Sequence, residues 1–182
     1  MNQSKDYYKI KYFKYKLKYK ICKQNTFGTL LYNFNGIPAY SNGTNKDISN
    51  EINYHNGIFT GIKWQCVEYA RRYIQIIFGI TFSEVDNAYQ IPHATFTRLL
   101  DNKVIIPWIY RANHNMDLFE SLNNSLIIWP KDYEPDSPYG HVAIIVCAKK
   151  DGIYVAEQNY NNNDFYRYIP LTDIKNVTII SF

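Results

Sequence analysis

The stretch Trp64-Gln65-Cys66-Val67-Glu68-Tyr69-Ala70-Arg71-Arg72 decides how this chain is read, because it sets a cysteine where a loop turns into a helix. From Cys66 to Phe78, the apolar residues Val67, Ala70, Tyr73, Ile74, Ile77 and Phe78 recur at helical spacing, and Gly79 stands where a C-cap glycine belongs. This predicts an amphipathic helix with Cys66 at the edge of its apolar stripe and Glu68, Arg72 and Gln75 on the opposite side. The thiol is expected to face the protein body. A thiolate at a helix N-terminus meets unpaired N–H groups and the positive end of the dipole, which lower its pKa and make it nucleophilic. A lone buried cysteine is otherwise a small hydrophobe.

Working outward on the N-terminal side, Phe27-Gly28-Thr29-Leu30-Leu31, the turn Asn35-Gly36 and Ile37-Pro38-Ala39-Tyr40 predict a hairpin. Ser41 to Asn50 reads as a polar loop, and Gly57 to Gly61 as a glycine-bearing approach to the helix start. Beyond the helix, Ile80-Thr81-Phe82 precedes a second, weakly patterned helix over about Ala94 to Leu100. Trp108 to Tyr110, Leu126 to Trp129 and Val177 to Ile180 read as strands, and Pro130, Pro135 and Pro138 mark a loop.

The most informative later unit is Gly140-His141-Val142-Ala143-Ile144-Ile145-Val146-Cys147-Ala148, the turn Lys149 to Gly152, and Ile153 to Asn159. It predicts a buried hairpin with polar residues at the outer end of each strand. His141 and Glu157 share a face only if the connection is of odd length or a bulge intervenes, and Asn159 lies on the same side as Glu157. Cys66, His141 and Glu157 then supply a nucleophile, a base and a group that orients the imidazole. His55, His93 and His114 lie in loop-like surroundings, Cys147 sits among apolar neighbours as a core residue, and Cys22 falls in the N-terminal segment.

With 182 residues and 46% hydrophobic content, the chain suits one domain with one core. Its net charge of +4 is unevenly placed: residues 1–24 hold eight lysines against Asp6, or +7, leaving −3 on the remainder. A mildly acidic body argues against nucleic acid. Residues 1–24 are taken as a Lys/Tyr-rich disordered tail, ahead of a strand added to a sheet edge or a basic-aromatic patch for an acidic partner or membrane surface, and residues 25–182 as the domain. Three cysteines cannot all pair and no apolar leader opens the chain, so a reducing, cytoplasmic setting is expected. No apolar run reaches the roughly 18 residues of a membrane-spanning helix.

Five segments occur in the order and approximate spacing of a known domain: Phe27 to Leu31, Trp64 to Arg72, Leu126 to Trp129, Gly140 to Ile145, and Ala156-Glu157-Gln158-Asn159. They resemble the amidase domain of glutathionylspermidine synthetase/amidase, to which a domain of trypanothione synthetases is related, within the cysteine, histidine-dependent amidohydrolase/peptidase (CHAP) group. The resemblance runs from about Phe27 to the end, matches poorly from Asp86 to Asn124, and excludes the basic segment. It implies an α+β, papain-like fold in which the nucleophile helix packs on a central antiparallel sheet.

It further implies Cys66 as nucleophile, His141 as general base, Glu157 as orienting carboxylate, Asn159 as a secondary candidate, and Gln65 as an oxyanion-hole donor beside the Cys66 N–H. Arg71, at the flank of the stripe, is a candidate for a substrate carboxylate or for an ion pair with a nearby acid, and Glu68 to Arg72 has the spacing of a surface pair. The substrate expected is a small thiol-polyamine conjugate, with no metal or cofactor and no ligase domain. Two rivals stay open: the same chemistry on a cell-wall peptide, and a non-catalytic binding module on the same fold.

Overall fold

The computed structural model of the chain describes residues 26–44, 48–112, 120–133, 137–161 and 164–182. The basic segment 1–24 with Cys22, and also His114 and Pro135, lie outside the described residues.

The predicted first hairpin forms: β1 (Leu30–Phe34) pairs antiparallel with β2 (Ile37–Tyr40) across Asn35-Gly36, whose φ values of 51° and 80° give the doubly positive turn that matches strand twist. A second hairpin, β3 (Ile52–His55) and β4 (Ile58–Ile62), turns on Asn56-Gly57 with φ of 51° and 78°. Reading Gly57 to Gly61 as a plain approach missed it. The expected tight approach is nonetheless there, since a Cβ on Gly61 would lie 3.1 Å from Glu68 Cα.

Helix α1 spans Cys66–Phe78 and stops at Gly79, whose φ of 63° lets its N–H reach the carbonyls of Gln75 and Ile74. β5 (Ile80–Phe82), β6 (Phe96–Arg98) and β7 (Val104–Ile105) form a small three-stranded sheet. The helix expected over Ala94 to Leu100 is therefore absent. A 3-10 turn over Ala88–His93 contains Pro92 and ends at Ala94 in extended backbone, and Phe96 pairs with Phe82 instead.

A six-stranded sheet follows, built from β8 (Trp108–Ala112), β9 (Leu126–Trp129), β10 (His141–Lys149), β11 (Gly152–Ala156), β12 (Tyr166–Pro170) and β13 (Val177–Ser181). Its order is β12-β11-β10-β9-β13-β8, with every pairing antiparallel. Together with α1 this makes an α+β chain. Both sheet faces are covered. Leu126, Ile128, Val142, Ile144 and Ile180 join Tyr69, Ala70, Tyr73 and Ile74 of α1 in one core, while Ile127, Trp129, Ala143, Ile145, Val155 and Ile179 form a second core. Double burial explains why these strands read as unbroken apolar runs.

The helix departs from its predicted amphipathicity. Glu68, Arg72 and Gln75, placed by periodicity on the side away from the body, are buried, and Ile77 is 37% exposed. Helix α1 packs on β10 but also against β2, β4 and β5, so the two hairpins and the small sheet cover the face that a one-sided reading leaves to solvent. Among the described residues, no helix is long and apolar enough to cross a membrane.

Candidate active site

Cys66 opens α1, with Gln65 as the N-cap residue in extended backbone (φ −80°, ψ 158°). The side chain is half-buried, and the His141 ring and the main-chain N–H groups of Val67 and Val142 are the groups that act on its thiol. His141 is the first residue of β10, opposite Trp129. The preceding Gly140 has φ 64°, and a Cβ there would fall 2.7 Å from the Trp129 carbonyl oxygen and 3.1 Å from Tyr89 Cβ. Only glycine fits this entry to the strand.

Glu157 reaches His141 through a register change. Near the turn, Ala148 faces Ile153 and Lys149 faces Gly152; past an irregularity between Ile145 and Cys147, Ile145 faces Val155 and Ile144 faces Ala156. The extra residue is the bulge that parity demanded, since the turn itself holds only Lys150 and Asp151. His141 Nε2 lies 2.9 Å from Glu157 Oε2, with Glu157 fully buried. With Nε2 engaged by the carboxylate, Nδ1 is the ring nitrogen left to meet the thiol.

The electrostatics follow from these contacts. Burial alone would push the Cys66 thiol up, but the His141 charge, its hydrogen bond, and the Val142 and Val67 N–H groups together bring it below its usual value. Burial opposes charge on His141 as well. The Cys66 thiolate and the Glu157 carboxylate outweigh that and raise the imidazole to about 9. The arrangement favours a thiolate–imidazolium pair, a nucleophile beside a proton donor.

Two further layers surround this trio. Arg167 on β12, opposite Val155, donates from Nε to Glu157 Oε1 at 2.6 Å and from Nη2 to Glu157 Oε2 at 3.3 Å. Its guanidinium lies 3.9 Å from the Tyr160 ring centre and 5.1 Å from that of Trp129, and both rings also flank His141. On the helix side, Asn159 Nδ2 donates to Gln65 Oε1 at 2.7 Å, Gln65 Nε2 donates to Asn42 Oδ1 at 3.3 Å, and Asn42 Nδ2 donates to Asn159 Oδ1 at 3.1 Å. Asn159 holds a φ of 58°, a left-handed conformation that asparagine tolerates. Buried Gln158 donates from Nε2 to Glu68 Oε2 at 3.0 Å and to the Gln65 carbonyl at 3.2 Å.

Cys66, His141, Glu157, Gln65 and Asn159 are therefore brought together. Arg71 is not among them. It is 2% exposed and donates to the carbonyls of Thr60, Phe82 and Ser83, so it ties β4 to the end of β5 beside the helix and is spent as a ligand for a substrate carboxylate. The surface pair expected of Glu68 and Arg72 is a buried one, with Nε to Oε1 at 2.7 Å and side chains 0% and 5% exposed. His55 meets Asn56 on an exposed turn, His93 ends the 3-10 turn, and Cys147 is half-buried beside the bulge.

Arg167, Asn42 and Gln158 were missed. Arg167 lies on β12, a strand whose tyrosines mask its alternation; Asn42 falls in the polar loop Ser41 to Asn50, and Gln158 stands between two candidates with no signal of its own.

The CHAP domain family matches residues 57–159. The bifunctional glutathionylspermidine synthetase/amidase of Escherichia coli (strain K12) is 34% identical over 141 residues, covering 73% of this chain and 22% of that protein, and the protein of the same name from Shigella flexneri matches equally. The trypanothione synthetase of Crithidia fasciculata is 32% identical over 124 residues, covering 68% of this chain and 18% of that protein. The chain thus spans about a fifth of the length of these relatives.

Proposed function

Given that this chain belongs to the CHAP domain family and is homologous to the amidase domain of glutathionylspermidine synthetase/amidase, we propose that it is a cysteine-dependent amidohydrolase of papain-like arrangement, with Cys66, His141 and Glu157 as its working residues. The observation that carries this reading is the His141 ring at the head of β10, held at 2.9 Å by the buried Glu157 carboxylate and set against the Cys66 thiol at the start of α1. The substrate proposed is a glutathionyl-polyamine amide, in keeping with the names of the relatives.

In this reading, the Cys66 thiolate attacks the amide carbonyl carbon and the carbonyl π electrons move to oxygen. The Cys66 main-chain N–H and the Gln65 side-chain amide, oriented by Asn42 and Asn159, face that oxyanion; one such donor contributes about 2.7–4 kcal/mol. Collapse re-forms the carbonyl and breaks the C–N bond as the His141 imidazolium gives its Nδ1 proton to the departing amine. A thioester on Cys66 remains. Neutral His141 then takes a proton from water as its oxygen attacks the thioester, and the acid leaves with Cys66 restored as thiolate. Glu157 holds the ring in place for both half-reactions. A cytoplasmic setting, which keeps thiols reduced, suits this chemistry.

The test is release of free polyamine from glutathionylspermidine by wild type and by Cys66→Ala. The variant should lose all release while keeping the wild-type circular dichroism spectrum; turnover retained without the thiol refutes the assignment. Cleavage of muropeptides in place of glutathionylspermidine would move the substrate class to cell-wall peptides.

A further inference from the structure

We propose that Arg167 is a positioning residue for the thiol chemistry assigned above, clamping the Glu157 carboxylate in the one pose that presents Oε2 to His141. The inference rests on that assignment and goes beyond it, because the trio as stated does not explain what keeps a fully buried carboxylate aimed.

Three observations carry it. First, the contact is two-pronged: Arg167 Nε takes Oε1 at 2.6 Å and Nη2 takes Oε2 at 3.3 Å, so the plane of the carboxylate is set by the guanidinium fork. Oε2 is shared with His141 Nε2, which makes the orientation of the imidazole depend on that plane. Second, Arg167 is itself held. Its guanidinium stacks on Tyr160 at 3.9 Å and lies near Trp129, the rings that also border His141, so clamp and imidazole sit in one aromatic frame. Third, the topology places it there: β12 pairs with β11 so that Arg167 faces Val155, two residues before Glu157 and on the same side of the sheet.

The charges then alternate along the line Arg167, Glu157, His141, Cys66. The titratable groups around Glu157 are His141 from β10, Arg167 from β12, Cys66 from α1 beyond the ring, and the phenols of Tyr160 and Tyr133, which border His141. Among the described residues around Glu157, only Arg167 brings a permanent positive charge. Without the fork, the carboxylate loses the contact that fixes its plane toward the imidazole. The support is relayed to Cys66, since the thiolate is favoured by the neighbouring positive ring.

The test needs no amide substrate, which separates this proposal from the assignment it rests on. The rate of Cys66 alkylation by iodoacetamide is followed against pH in wild type, Arg167→Met and Arg167→Lys, with near-ultraviolet circular dichroism confirming the fold. Arg167→Met should move the acid limb of the profile up by at least one pH unit, about a tenfold slower reaction at any pH below both midpoints. Arg167→Lys, which keeps the charge and loses the fork, should recover part of that shift. A folded Arg167→Met protein with an unmoved limb overturns the proposal; if it fails to fold, an unmoved limb in Arg167→Gln does the same. Wild-type Cys66 alkylating as an ordinary thiol would instead overturn the assignment of the trio.

Discussion

Replacing Glu68 by alanine separates a buried hub from a surface ion pair, because the two differ by about tenfold in energy. An exposed i,i+4 pair contributes roughly 0.3–0.5 kcal/mol. Glu68, however, is fully buried and accepts from Arg72 Nε at 2.7 Å, Arg72 Nη2 at 3.2 Å, Asn53 Nδ2 at 2.8 Å and Gln158 Nε2 at 3.0 Å. Its removal leaves Arg72 with the Pro38 carbonyl as acceptor and strips an acceptor from the half-buried Asn53 amide and the buried Gln158 amide. Breaking a buried pair from one side costs about 3–5 kcal/mol, a large part of the roughly 5–15 kcal/mol that stabilises a domain. With a urea dependence of about 1–3 kcal/mol per molar, the unfolding midpoint of Glu68→Ala should fall by about 1–5 M with unchanged slope. The double variant with Arg72→Met should lose less than the sum of the two single changes, because the second removes the stranded charge. A loss under about 1 kcal/mol for Glu68→Ala refutes the reasoning and returns the pair to the surface.

Arg71→Met should cost about 2–3 kcal/mol of stability through its three lost carbonyl contacts, while leaving the KM of the folded enzyme unchanged; a KM raised tenfold at constant stability would show that Arg71 binds substrate after all. The pH profile has a sign on each limb. Because Cys66 is lowered, the acid limb of its alkylation should lie below that of an ordinary thiol; because His141 is raised to about 9, amide turnover should decline as pH rises through about 9, where the proton for the leaving amine is lost. A Cys66 titration midpoint near about 8.5 would contradict both limbs.

What could be read from the residues alone divides along a physical line. Helix α1, the first hairpin and the apolar strands β9, β10 and β13 announce themselves, because each is a run whose period or turn chemistry is local. Cys66, His141 and Glu157 were legible for the same reason: each occupies the end of such an element, and the parity argument even required the bulge near Val146. The failures are non-local. Glu68 and Arg72 look like a solvated pair until the β3–β4 hairpin is laid over them, and that hairpin carried an Asn-Gly signal at residues 56 and 57 that was passed over. Arg71 was offered to substrate because nothing in its own neighbourhood shows that the carbonyls of Thr60, Phe82 and Ser83 converge on it. Arg167 depends on a strand pairing, which no single stretch contains. The helix predicted after Ala94 failed because two-residue and three-residue strands leave too short a pattern to detect.

The sheet order also sets a sequence of events. Among the described residues, β8 joins the six-stranded sheet through β13 alone, so a segment complete at Ala112 waits for one that begins at Val177. Until then its edge, with Trp108 82% exposed even in the finished fold, has no backbone partner in that sheet. β10 and β11, joined by a tight turn, can zip without delay. On a chain made from its N-terminus, the arms of His141 and Glu157 would thus come together before β13 arrives as the wedge between β9 and β8, and β8 then stays as the outer edge of the sheet.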